Sequence, residues 1–560
     1  MRTALFAILA LAACTPRTSP APATDAYDTV ISSGRIVDGT GNAWYYGDVG
    51  IRGDRIAFVG PAGALAGARG ASRIDARGLV VAPGFIDIQS HSWDQLLWRD
   101  GRVMGKVTQG VTTEILGEAT TPAPLNDAVA ALLDIPDTLP QLRALHETFR
   151  GARGFGAWLD AMGRHPNSVN VGSYLGATTV RAYAMGQRRG DADAAELDTM
   201  RAVVRNAMLD GALGISSALI YPPGSYASTR ELVEMAKAMA PYHGGYITHM
   251  RSEDDSLFEA MDEAFRIARE GGGVTLDIYH LKAAGRSNWD KAPGMVHKID
   301  NARAAGLDVA ATMYPYAASG NDLASCFPTW VAEGGRLLEN LRDPGMRARV
   351  VAEMQRTGAC DPAHSSHAVI GFRRPELTKY EGWRIDALMR DMGKPAPDVV
   401  IDLTLAEEAR LGKINFSMSE ENVAMQLAQP WVVFGSDAGG HDPDSATSLT
   451  HPRAYGTYPR ILGKYVRIDS VLTLEDAVRK MTSAVAARLK LSDRGLLREG
   501  TYADVVVFDP ATIIDHATFE RPHQLSTGVR HVWVNGVPVV AHGRHTGATP
   551  GRVIRGPARD

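Results

Sequence analysis

Residues 245–280 read GYITHMRSEDDSLFEAMDEAFRIAREGGGVTLDIYH. Two apolar runs, Gly245–His249 and Val274–His280, flank an amphipathic stretch whose opening, Ser256-Leu-Phe-Glu259, fits a helix capping box. Strand, helix and strand in that order make the unit of a parallel sheet. Both strands close on a histidine. The pattern continues in both directions, giving strands at Phe85–His91, Thr112–Glu118, Val169–Gly176, Ala212–Leu219, Leu307–Tyr314 and Trp431–Ser436. Helical stretches lie between them, one opening on Ser228-Thr-Arg-Glu231. Eight such units predict an α/β fold, a closed (β/α)8 TIM barrel. The interval from about 320 to 430 is too long for a loop and predicts an inserted subdomain near the barrel mouth.

Outside this region the texture changes. Residues 28–82 are short β segments punctuated by Gly39, Gly41, Gly53 and Gly60, and residues 491–545 repeat that texture at Ala503–Phe508, Gly528–Asn535 and Val537–Ala541. Neither end can close a stable sheet alone, so the two are expected to build one small β-sandwich around a barrel spanning 83–490, with 546–560 as a tail.

The 560 residues carry 59 Lys and Arg against 63 Asp and Glu, a net charge of −4 with no basic block. A nucleic-acid role needs a cationic stripe and is excluded. Residues 1–14 hold one arginine, an apolar run from Ala4 to Ala13, and then Cys14. That is a secretory signal, too short to span a bilayer. Leu11-Ala-Ala-Cys14 resembles the bacterial lipobox, which would make Cys14 a lipidation site; the alternative is a plain cleavable signal in which Cys14 is incidental. The expected location is the periplasmic side of a bacterial membrane, with residues 15–27 as a flexible tether. Only Cys326 and Cys360 remain; they could pair, or stay as two buried thiols.

Side chains at the C-terminal ends of barrel strands converge on one site. Read in order, those ends offer Gln89 and His91, Glu118, His249, His280 and Asp437. Any one of them alone reads better as a hydrogen-bonded core residue, an ion-pair partner or a turn cap. Their coincidence at one end of five strands favours a divalent metal, held by imidazole and carboxylate with a position open for water. A zinc ion there acidifies water and polarises a carbonyl, and a nearby carboxylate can move the proton.

These residues sit in segments that resemble the amidohydrolase superfamily, and within it the D-aminoacylase (N-acyl-D-amino-acid deacylase) group. The carrying segments are Ala82-Pro-Gly-Phe-Ile-Asp87, Gly110-Val-Thr-Thr113, Thr248-His-Met-Arg-Ser-Glu253, Tyr314-Pro-Tyr316, Phe416-Ser-Met-Ser419, Gly435-Ser-Asp437 and His451-Pro-Arg453, with Arg498-Glu-Gly-Thr-Tyr-Ala-Asp-Val505 as the return to the sandwich. The resemblance runs from about Asp28 to Gly543. It implies that Glu118, His249 and His280 hold a tight zinc, with Glu118 where many relatives use cysteine, and that Asp437 is the acid/base. Lys282, Tyr314 and Arg453 stand where relatives grip the substrate's α-carboxylate. For Lys282 a structural ion pair is an equal alternative. Arg251 and Glu253 are expected to support the ligands.

One departure stands out. Relatives carry His-x-His at the end of the first strand, and here it reads Gln89-Ser-His91. A second zinc would have His91, Asp437 and at most the amide oxygen of Gln89, a weaker ligand than imidazole. One firm zinc is expected, with the second weak or absent. The implied reaction is hydrolysis of a C–N amide in an N-acyl-D-amino acid, a small-molecule substrate. Alternatives are a dipeptide or cyclic amide as substrate, or a binding lipoprotein without turnover.

Overall fold

The structure, a computed structural model, describes residues 26–559 apart from 134, 136 and 137. The signal, the lipobox cysteine Cys14 and nearly all of the tether lie outside the described residues.

The barrel is built from eight parallel strands: Phe85–Asp87, Val111–Leu116, Asn170–Ser173 continued by Leu175–Gly176, Gly214–Ala218, Gly245–His249, Leu276–Ile278, Val309–Met313 and Val432–Phe434. Closure joins the last to the first just beyond their ends. Asp437 N donates to Gln89 O at 2.8 Å and His91 N to Ala438 O at 3.1 Å. Ile86, Ile88, Ile115, Tyr174, Leu213, Ile247, Tyr279 and Val433 fill the interior as one apolar cluster. This packed layer is the floor on which the site stands, since Ile247 and His249, two residues apart on one strand, share a face.

Several expected strands are shorter than the apolar runs that announced them. Gln89, His91, Glu118, His280 and Asp437 fall on the turns just after the strands rather than inside them. His280 and Asp437 take positive φ of 33° and 50°, a left-handed conformation uncommon outside glycine, though Asp and His adopt it more readily than most. Held backbone strain of this kind collects where a side chain must be aimed.

Both chain ends meet in one nine-stranded sheet in which Val80–Pro83 pairs with Val505–Phe508. Period-two alternation divides the second of these strands. Val505 and Val507 face a cluster with Ile31, Val49, Ile51 and Trp533, while Val506 and Phe508 pack on the barrel side. Ile56 N donates to Thr501 O at 2.9 Å, which folds the sheet over that cluster. Residues 546–559 are not a loose tail. Val171 N donates to Arg552 O at 2.9 Å and Ile554 N to Val171 O at 2.8 Å, strapping the segment along the third barrel strand.

The insertion lies between the seventh and eighth strands. It holds an antiparallel sheet of Ser319–Asp322, Gly412–Phe416 and Ser366–Ile370, four helices between Leu337 and Ala406, and its own apolar core. Cys326 and Cys360 are joined in a disulfide with a Cα–Cα distance of 5.6 Å, which decides between pairing and free thiols. Of the two capping boxes, Ser228 accepts from Glu231 N, but Ser256 makes no side-chain cap; its own N–H is taken by Ser252 Oγ at 3.2 Å.

Candidate active site

The barrel mouth holds a cavity of about 330 Å³ lined by His91, Glu118, His249, Glu253, His280, Lys282, Tyr314, Asp437 and Arg453, with Tyr221 and residues 319–322 completing the wall. Three Lewis-basic atoms converge at its base. His280 Nε2 is 3.0 Å from His249 Nδ1, which is 3.2 Å from Glu118 Oε1, and His280 Nε2 is 3.6 Å from that oxygen. Donors around a tetrahedral zinc lie about 3.3 Å apart, as bond lengths near 2 Å require. The three residues therefore fit a metal ion in both chemistry and spacing. A second group, His91, Glu118 and Asp437, shares the glutamate.

The electrostatics agree. Burial opposes charge on Glu118, but hydrogen bonds from His249, His280 and His91 hold its carboxyl well below the usual range. Burial pulls against protonation of His91, yet Asp437 and Glu118 push its pKa up to about 9. In His280 burial and Lys282 lower the pKa, and Glu253, Asp437 and Glu118 overcome them to bring it to about 9. The cavity favours positive charge between these carboxylates, whether as protons or as a cation.

Glu253 does more than stand behind the others. Its Oε1 lies 2.9 Å from His280 Nδ1 and 2.6 Å from Lys282 Nζ, so one carboxylate anchors both. Glu253 accepting from Nδ1–H directs Nε2, once deprotonated, towards the cation site, with Lys282 Nζ also 2.7 Å from Nδ1. Lys282 thus forms the structural ion pair while still lining the cavity. Arg251 is turned away, bonded to Glu263, Ser225 O and Ala227 O.

Asp437 points its two oxygens differently. Oδ1 is 2.9 Å from His91 Nε2, and Oδ2 is 2.7 Å from Arg453 Nη1. Burial raises its pKa, but Arg453, His280 and His91 lower it further, so the carboxylate stays ionised. Arg453 lies 4.6 Å over the Tyr314 ring. Gln89, at most a weak ligand through its amide oxygen, has both amide atoms engaged by other partners. Oε1 accepts from Thr312 Oγ1 at 3.0 Å, and Nε2 donates to Glu118 Oε2 at 2.7 Å.

Sequence reasoning missed Lys106. It is wholly buried beneath the site, with Nζ donating to Asp87 Oδ2 at 2.6 Å, Ser436 Oγ at 2.5 Å and Ala438 O at 2.7 Å. These partners sit at the joined ends of the first and eighth strands, next to His91 and Asp437. Lys106 ends no apolar run, so the strand-end pattern gave no signal for it.

A closed parallel barrel carrying convergent imidazoles and carboxylates at its C-terminal mouth defines a metal-dependent hydrolase architecture. The chain belongs to the Amidohydrolase family, whose model matches residues 73–540. A D-aminoacylase of Alcaligenes xylosoxydans xylosoxydans is 36% identical over 530 residues, 94% of this chain and 97% of that one. A solved D-aminoacylase, described by one-metal activation and second-metal attenuation of its binuclear centre, is 35% identical with a TM-score of 0.77, covering 94% of this chain and 100% of its own. The N-acyl-D-glutamate deacylase of Bordetella bronchiseptica, solved with zinc and a phosphonate mimic of its tetrahedral intermediate, is 30% identical with a TM-score of 0.76, covering 95% and 100%.

Proposed function

We propose that this protein is a zinc-dependent N-acyl-D-amino-acid deacylase. The observation that carries the reading is the convergence of Glu118 Oε1, His249 Nδ1 and His280 Nε2 within 3.0–3.6 Å of one another, beside an ionised Asp437 in the same cavity. Glu118, His249 and His280 would hold one ion, which when bound supplies Lewis acidity to the amide carbonyl and acidifies water. Asp437 takes the proton as a water oxygen bonds to the carbonyl carbon. As the C–N bond breaks, Asp437 delivers that proton to the departing nitrogen, releasing a carboxylate and a free amino acid. His91 and Arg453, one on each Asp437 oxygen, hold the carboxylate in place. Arg453 lines the cavity with its guanidinium over the Tyr314 ring and suits the substrate's α-carboxylate.

A second ion is proposed to bind weakly or not at all, since Gln89 Nε2 occupies Glu118 Oε2. Export and lipidation at Cys14 are part of the same proposal, resting on residues 1–14. The Cys326–Cys360 disulfide supports an oxidising compartment.

The test is amine release by the zinc-loaded protein lacking residues 1–14, on paired N-acetyl-D- and N-acetyl-L-amino acids. Release confined to the D series is expected; release from neither series would refute the reading.

A further inference from the structure

Four carboxylates line the cavity, and three of them are matched. Glu118 meets the histidines, Glu253 meets Lys282, and Asp437 meets Arg453 and His91. The fourth, Asp322, has no cationic group within 4 Å among the described residues. It stands at the end of the insertion strand Ser319–Asp322, an exposed residue whose side chain opens to the cavity with protein packed on its other sides. Burial raises its pKa, and Lys413 and His91 only partly offset this from a distance. Lys413 itself is engaged elsewhere: Nζ donates to Asn321 Oδ1 at 2.7 Å and Asn415 Oδ1 at 2.6 Å.

Asp322 also borders a second cavity, of about 180 Å³, which shares Tyr221 with the first and is otherwise lined mainly by apolar groups, among them Ile220, Phe327, Val331 and Leu337. A substituent leaving the reacting centre along this wall therefore meets apolar surface and one unmatched negative charge. An apolar stem carrying a cation satisfies both. An ionised carboxylate on a cavity wall gains from a charge-assisted hydrogen bond, and an anionic substituent would be repelled.

We propose that Asp322 is a specificity-determining residue, selecting substrates whose side chain or acyl chain bears an ammonium or guanidinium group on a short apolar stem and disfavouring acidic ones. This rests on the deacylase reading of the main cavity and names its substrate class.

The experiment compares kcat/KM for two matched pairs, N-acetyl-D-lysine with N-acetyl-D-norleucine, and N-(6-aminohexanoyl)-D-alanine with N-hexanoyl-D-alanine, in the wild type and Asp322→Asn. One pair should favour the ammonium member by about threefold or more, the scale of an exposed ion pair. The pair that does so tells whether side chain or acyl chain reaches Asp322. Asp322→Asn should remove that preference while changing the neutral members less than about twofold. The proposal is overturned if neither pair distinguishes ammonium from methyl, or if the variant loses activity equally on all four. Should no compound be hydrolysed, the deacylase reading fails separately. Calorimetric binding of D-lysine and 6-aminohexanoate against D-norleucine and hexanoate to the zinc-loaded protein then decides: an ammonium preference lost in Asp322→Asn supports the inference, and equal affinities overturn it.

Discussion

Gln89 and Glu118 are tied by a 2.7 Å hydrogen bond from the amide nitrogen to the carboxylate oxygen that faces away from His249. The orientation is fixed chemically, because an ionised carboxylate only accepts. Thr312 holds the other end, accepting from His280 N at 2.8 Å and donating to Gln89 Oε1 at 3.0 Å. Glu118 is thereby split between a cation site and an amide.

The purified protein is accordingly expected to hold one zinc per chain after dialysis, and Gln89→His to hold two. Elemental analysis reads both. A wild-type protein with two tightly held ions would contradict this reading of Gln89.

In the proposed zinc site, proton competition would set the affinity for the ion. His280 keeps its proton up to about pH 9 in the metal-free protein, and Nε2 must lose it to ligate. Zinc affinity should therefore climb with pH, by about tenfold per unit for each proton displaced, and level off near the histidine pKa. Competition with a chromogenic chelator from pH 6.5 to 8.5 measures it. A flat profile would show that His280 Nε2 is already free of its proton.

Lys106→Met leaves Asp87 without its buried cation and unpins Ser436 and Ala438 beside Asp437. Breaking a buried pair by removing one partner costs about 3–5 kcal/mol. A lower denaturation midpoint is expected, together with a fall in kcat larger than any change in KM, because the displaced group is Asp437. A variant with wild-type kcat would limit Lys106 to stability.

The disulfide closes a loop of 34 residues in the insertion. Chain-entropy arguments give it about 4 kcal/mol. Cys326→Ser combined with Cys360→Ser should unfold at lower denaturant, with the insertion losing hydrogen-exchange protection before the barrel does. Unchanged protection would show that the apolar core of the insertion suffices.

The sequence made the barrel and its metal-type cluster legible for a specific physical reason. Each run such as Tyr246-Ile-Thr-His249 must be apolar to pack inside the sheet, so the polar residue that ends it is conspicuous. The β texture shared by the two chain ends was legible in the same way. What could not be read is tertiary. Asp322 and Tyr221 belong to different segments, and only the docking of the insertion on the barrel brings them to one wall. The left-handed turns at His280 and Asp437 carry no glycine to announce them, and the strap at 546–559 is made by backbone bonds to Val171, which any sequence could donate. Gln89 was conspicuous as a departure, but its partners Glu118 and Thr312 emerge only when three strands are assembled.

In the proposed mechanism Asp437 moves the proton while Glu118, His249 and His280 hold zinc. Steady-state amine release by Asp437→Asn, with its zinc content measured on the same sample, tests it most directly. One zinc per chain is expected, with a loss of kcat of at least about 100-fold, the scale of a positioned acid–base group. Wild-type turnover by a zinc-loaded Asp437→Asn would contradict it.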